Sequence, residues 1–125
     1  MENPKLFSPS TLAFVGDSVY GLMVRTKLAE VERPVGELHK ISVKYVNANA
    51  QSKAFELIKE QLTDEEMCIY KRGRNNHVGQ IPKNATSSVY HSATGVEALF
   101  GFLYLKGETE RLNMLFNLIW ERIDK

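Results

Sequence analysis

The sequence predicts an all-α fold in one domain, and three observations carry that expectation. Apolar residues recur at helical spacing along most of the chain. No run of alternating β-branched residues bounded by turn signals occurs. Capping residues stand where the periodic segments begin. A chain of 125 residues suits one domain and can bury a real core. There is no internal repeat and no linker composition, so residues 1–125 read as a single unit.

A first helix is expected from about Ser8-Pro9-Ser10 to Leu28. Ser8 can cap it, and Pro9 suits the first turn. Glu32-Arg33-Pro34 breaks the chain. A second helix follows from about Val35 to Asn47, with Leu38, Ile41 and Tyr45 on one face. A third runs from about Ala48 to Gln61, with Phe55, Leu57, Ile58 and Leu62 as its apolar side. Thr63-Asp64-Glu65-Glu66 is a capping box and opens a short helix that ends near Gly73. The stretch from Asn75 to Tyr90 has Gly79, Pro82 and no periodicity, and reads as a long loop that is mobile without a ligand. A helix from about His91 to Leu105 stops at Gly107. The last begins near Thr109 and carries Leu112, Leu115, Phe116, Ile119 and Ile123 on one face.

Composition excludes several classes. The apolar stretch around Val96 to Leu105 is far short of the roughly 20 residues of a membrane span. The N-terminus lacks a secretion-signal pattern, so a cytoplasmic location is expected. Cys68 is the single cysteine, which excludes an internal disulfide and a Cys-rich metal site. Net charge is +1, yet its distribution is uneven. No acidic residue lies between Glu66 and Glu97, while Lys71, Arg72, Arg74 and Lys83 do. Such a stretch can bind phosphate, or it can be a solvated basic loop.

Two carboxylates stand where carboxylates are costly. The helical neighbours of Asp17 are Ala13, Phe14, Tyr20 and Gly21; those of Glu97 are Ala93, Thr94, Phe100 and Gly101. Neither set contains a cation. Glu56, by contrast, has Lys53 and Lys59 three residues away. A buried, unpaired carboxylate costs several kcal/mol. A metal ion held between helices would offset that cost, and so would an Arg or Lys from a distant helix. Small residues beside each acid leave room for an ion and a phosphate. His39, His77 and His91 show no metal-ligand spacing, and Gly16 to Gly21 lacks the Lys that completes a phosphate loop. There is no Gly-x-Ser-x-Gly, and the aromatic and Met residues of the last helix read as core.

These residues also carry a resemblance. Leu12-Ala13-Phe14-Val15-Gly16-Asp17-Ser18-Val19-Tyr20 resembles the signature of the ribonuclease III family. Gly36-Glu37-Leu38 with Val46-Asn47 is similar to the family's Gly-Glu-Leu helix. Thr94-Gly95-Val96-Glu97-Ala98-Leu99-Phe100-Gly101 resembles its second catalytic segment. The three occur in the family's order. Departures are specific: Ser10 and Ala13 stand where the family has glutamates, and Thr94 where it has an aspartate. The short chain, with no room after Lys125 for a double-stranded-RNA-binding domain, resembles the Mini-ribonuclease III branch.

The resemblance implies an all-α, dimeric ribonuclease III endonuclease domain; dimerisation through the first helix is also suggested by Phe14, Val15, Val19 and Leu22, which leave almost no polar face in mid-helix. It implies a Mg²⁺-dependent endoribonuclease that cuts double-stranded RNA, leaves 5′-phosphate ends and matures the 23S ribosomal RNA precursor. Asp17 and Glu97 would be the catalytic and metal-binding residues; Lys71, Arg72, Arg74 and Lys83 would bind the RNA backbone. Two alternatives stay open: an inactive RNA-binding or ribosome-associated relative, suggested by the three lost acids, and an unrelated helical interaction protein whose acids are salt-bridged.

Overall fold

The computed structural model describes residues 3–76 and 86–125. Its α-helices are α1 (Pro9–Leu28), α2 (Val35–Val46), α3 (Ala48–Ile58), α4 (Asp64–Arg74), α5 (Ser87–Leu105) and α6 (Thr109–Arg122). Short 3₁₀ turns cover Pro4–Leu6 and Lys59–Gln61, and no strand occurs among the described residues. The caps explain the boundaries. The Ser8 side chain accepts from the Thr11 N–H, and Asn47 does the same for Ala50. Thr63 and Glu66 form the full reciprocal capping box.

α5 is the axis of the molecule. Ala93, Val96, Ala98, Leu99, Phe100, Phe102 and Leu103 are all buried, as expected of a helix that is apolar all round. α1, α3, α4 and α6 pack around it, with α2 resting on α1 and α3. Tyr20 of α1 meets Phe100 and Phe116 edge to face, with ring centroids 5.1 and 5.7 Å apart. The expected apolar face of α6 is buried throughout, from Leu112 to Ile123.

Glycine sets two helix crossings. A Cβ on Gly16 would stand 1.6 Å from the Glu97 carbonyl oxygen, and one on Gly101 would stand 2.0 Å from that of Leu12. The backbones of α1 and α5 therefore touch. On another side of α5, a Cβ on Gly73 would meet Ala98 Cβ at 2.7 Å and the Thr94 carbonyl oxygen at 3.1 Å.

One boundary differs from expectation. α5 begins at Ser87, not near His91. Thr86 is the reason: its side chain accepts from the Val89 N–H, so a Thr-Ser-Ser stretch that reads as loop is a cap and first turn. Asn75 and Asn76 close the end of α4 through bonds to the Lys71 and Gly73 carbonyls. The rest of the expected mobile segment, residues 77–85 with Lys83, lies outside the described residues.

Candidate active site

The backbone contact between α1 and α5 decides where the acids go. Gly16 lies against the Glu97 carbonyl, so the next residue, Asp17, is carried to the Glu97 side chain. The two carboxyls are within hydrogen-bonding reach of each other. Burial first, then the neighbouring Asp17, pushes the Glu97 carboxyl up to about 8. Two like charges held together and partly out of water favour keeping a proton. Among the described residues no cation acts on Glu97, so no described Arg or Lys solves the problem posed by the sequence.

Only Glu97 is withdrawn from water. It is half-buried, whereas Asp17 is exposed, so the expectation of two buried acids is corrected. The reason is that α1 covers α5 with one side only. Leu12, Val19, Tyr20 and Val24 face the core, while Phe14 is 80% and Leu22 65% exposed on the other side. Asp17 stands at the edge between these faces.

A third group lines the site. Gln51 of α3 is 3% exposed. Its amide lies close enough to hold the Glu97 carboxyl down slightly, but without hydrogen-bond geometry, so Nε2 has no partner. Nothing in the sequence singled out Gln51, because it sits on a helix that reads as an ordinary amphipathic one. The signal available was a long polar side chain on the same helix face as Ala54 and Ile58, three and seven residues on and both fully buried.

The three positions where family acids are missing have other work or other surroundings. The Ser10 hydroxyl accepts from the Asn76 amide at 2.7 Å. The Thr94 hydroxyl donates to the Tyr90 carbonyl at 3.0 Å. Ala13 is an apolar residue packed on the core. Among the described residues no cluster of three or more His, Cys, Asp or Glu side chains gathers. Two facing carboxylates and an unpartnered amide nevertheless suit a hard cation, which takes oxygen ligands and keeps waters where protein ligands are few.

The basic residues separate. Arg74 stacks its guanidinium 5.9 Å over the Tyr70 ring and donates to the Asn75 side chain. Lys71 is exposed. Both stand at the end of α4, whose Gly73 abuts Thr94, less than one turn before Glu97. Arg72 points elsewhere. It donates to the Lys5 carbonyl at 3.0 Å and the Phe7 carbonyl at 2.8 Å, pinning the N-terminal segment to α4. Its sequence position beside Arg74 gave no hint of this.

The ribonuclease III domain family matches residues 10–108, most of the chain. The chain belongs to the Mini-ribonuclease 3 branch of the ribonuclease III family. It is 46% identical over 119 residues to Mini-ribonuclease 3 of Thermoanaerobacter sp. strain X514, covering 94% of this chain and 84% of that one. Identity to the Staphylococcus aureus Mini-ribonuclease 3 is 42%, over 92% and 88% of the two chains. With that of Symbiobacterium thermophilum it is 36%, over 100% and 97%. The fold is similar to a crystal structure of a Fusobacterium nucleatum protein, with a TM-score of 0.87 at 28% identity over 97% and 98% of the two chains. Membership supports a ribonuclease III-type endoribonuclease and rules out the alternative of an unrelated interaction protein. No described helix is long and apolar enough to cross a membrane.

Proposed function

We propose that this endoribonuclease hydrolyses phosphodiesters of double-stranded RNA, with Asp17 and Glu97 as the catalytic pair that holds a divalent cation, Mg²⁺. The observation that carries the reading is a half-buried Glu97 carboxyl facing that of Asp17, with no cation among the described residues acting on it; burial first and then Asp17 push it up to about 8. Such a pair favours a metal ion in place of the proton on Glu97. When bound, Mg²⁺ supplies charge neutralisation at a phosphate and acidifies water.

The chain's own residues then have distinct tasks. Asp17 is exposed, so a substrate phosphate can reach it. Glu97 gives up its proton on loading, so loading is favoured by rising pH. Arg74 and Lys71 present positive charge beside the pair and contact phosphates, joined by Lys83 from outside the described residues. They read the shape of an A-form helix rather than its bases. Arg72, whose guanidinium already holds the Lys5 and Phe7 carbonyls, supports this surface by fixing the N-terminal segment. The products carry 5′-phosphate ends, and the 23S ribosomal RNA precursor is the substrate we assign from the family resemblance, in the cytoplasm.

The protein works as a homodimer through the outer side of α1. Phe14 and Leu22 are large, apolar and mostly exposed there, and a second copy would cover them and bring two sites to the two strands. Sedimentation at micromolar concentration should show twice the 14.2 kDa chain mass; a monomer there would refute the dimer.

The deciding experiment is duplex-RNA cleavage across Mg²⁺ concentrations, with gel-shift binding on the same proteins. Asp17→Asn and Glu97→Gln should each reduce cleavage by more than about 100-fold while duplex binding persists. The double variant should be no worse than either, because groups that serve one ion fail together. With two protein carboxylates, parent activity should still rise at millimolar Mg²⁺. Cleavage by Asp17→Asn at the parent rate would overturn the assignment.

A further inference from the structure

Gln51 lies 97% out of water in the packing between α3 and α5, with an amide nitrogen that bonds to nothing. A buried donor without an acceptor costs about 1–3 kcal/mol. A Leu or Met would fill the same space without that cost. The other buried polar side chains are satisfied: the Ser42 hydroxyl donates to the His39 carbonyl, and Glu66 is bonded to Thr63 and Arg111. Gln51 alone among them is left with an open donor, and it faces Glu97.

We propose that Gln51 is a positioning residue of the cation site: its amide donates to the Glu97 carboxylate and holds it turned toward a divalent ion shared with Asp17. The proposal rests on the reading of Asp17 and Glu97 as the cation-holding pair. While the two carboxyls are engaged with each other, the amide lacks an acceptor. With Asp17 and Glu97 holding a cation, the Glu97 carboxylate would have an oxygen free to accept from the Gln51 amide beside it. The open donor is thus a place kept for the loaded state. A ligand carboxylate fixed by a hydrogen bond from behind holds its ion more tightly, and loss of such a partner typically costs 10–100-fold in affinity.

The test titrates the full-length protein with Mn²⁺ alone, followed by electron paramagnetic resonance, with melting temperature measured in parallel. Gln51→Leu should weaken Mn²⁺ binding about 10-fold and leave the melting temperature equal to or above the parent's, since an unsatisfied donor has been removed. A residue with a purely structural role would move the melting temperature and spare the affinity. Gln51→Glu places a third carboxylate at the same point and should tighten Mn²⁺ binding while lowering metal-free stability. If Gln51→Leu does not fold, Gln51→Glu decides alone. Unchanged Mn²⁺ affinity in the folded variants, with Asp17→Asn binding lost, overturns the role of Gln51 only. Mn²⁺ affinity that survives Asp17→Asn overturns the underlying pair as well.

Discussion

Glu66 and Glu97 are two glutamates drawn out of water by the same small fold and treated in opposite ways. Glu66 is 4% exposed. Burial alone would raise its carboxyl, but Arg111 grips both oxygens at 2.7 and 2.8 Å and the Thr63 N–H adds a third bond, so the net effect is to hold it below the ordinary value. Glu97 receives another carboxyl where Glu66 receives a guanidinium. The fold can neutralise a buried glutamate when the residue's task is to join α4 to α6. Among the described residues it brings no cation to Glu97, at a crossing fixed by backbone contact, and that unrelieved cost is what the proposed cation site rests on.

The comparison can be broken most severely at the crossing. Gly16→Ala puts a methyl 1.6 Å from a main-chain oxygen, which no side-chain rotation relieves. Denaturation should show a loss of about 3 kcal/mol or more, with cleavage lost too. Stability within about 1 kcal/mol of the parent would mean the helices can part at little cost.

A second experiment sets the two glutamates against each other. Arg111→Ala leaves Glu66 buried without its cation and should cost about 3 kcal/mol, while cleavage persists well below the melting temperature. Glu97→Gln should move metal-free stability the other way, by about 1 kcal/mol, while abolishing cleavage. Urea denaturation of both proteins gives the signs directly, and equal signs would remove the distinction.

The most diagnostic effect is the dependence on pH. Glu97 has its folded pKa raised from 4.5 to about 8, so between those values the folded chain holds a proton that the unfolded chain has lost. Metal-free stability should therefore fall as pH rises from about 4.5 to about 8 and level off above. Glu66, lowered, acts in reverse: its contribution is present above 4.5 and is lost as pH falls below it. Melting curves across pH should show the neutral-side decline in the parent and not in Glu97→Gln.

Much of this was legible in the chain. Ser8, Thr63 and Gly107 marked helix ends because capping is local chemistry. Asp17 and Glu97 stood out because their helical neighbours lack a cation, and the structure brings them together. What stayed hidden depended on distant partners. Glu66 read only as the closing residue of a capping box, since Arg111 lies 45 positions on. Arg72 read as one more cation beside Arg74, since the carbonyls it holds are 65 and 67 positions back. Gln51 was invisible because a buried amide without a partner has no sequence pattern. The exposure of Asp17 followed from how far α1 wraps α5, which periodicity in so apolar a helix does not encode.

The central place of α5 has a consequence for how the protein fails. Its amides from Val96 to Leu103 are enclosed by four neighbouring helices, so they exchange hydrogen only when the whole assembly opens. Glu97 lies within that last-opening unit, and Asp17 is tied to it through Gly16. On warming, a population of this protein should thus hold molecules with a complete site or none. Inactivation should follow the cooperative melt and not precede it, unlike an enzyme whose chemistry rides on a frayed loop.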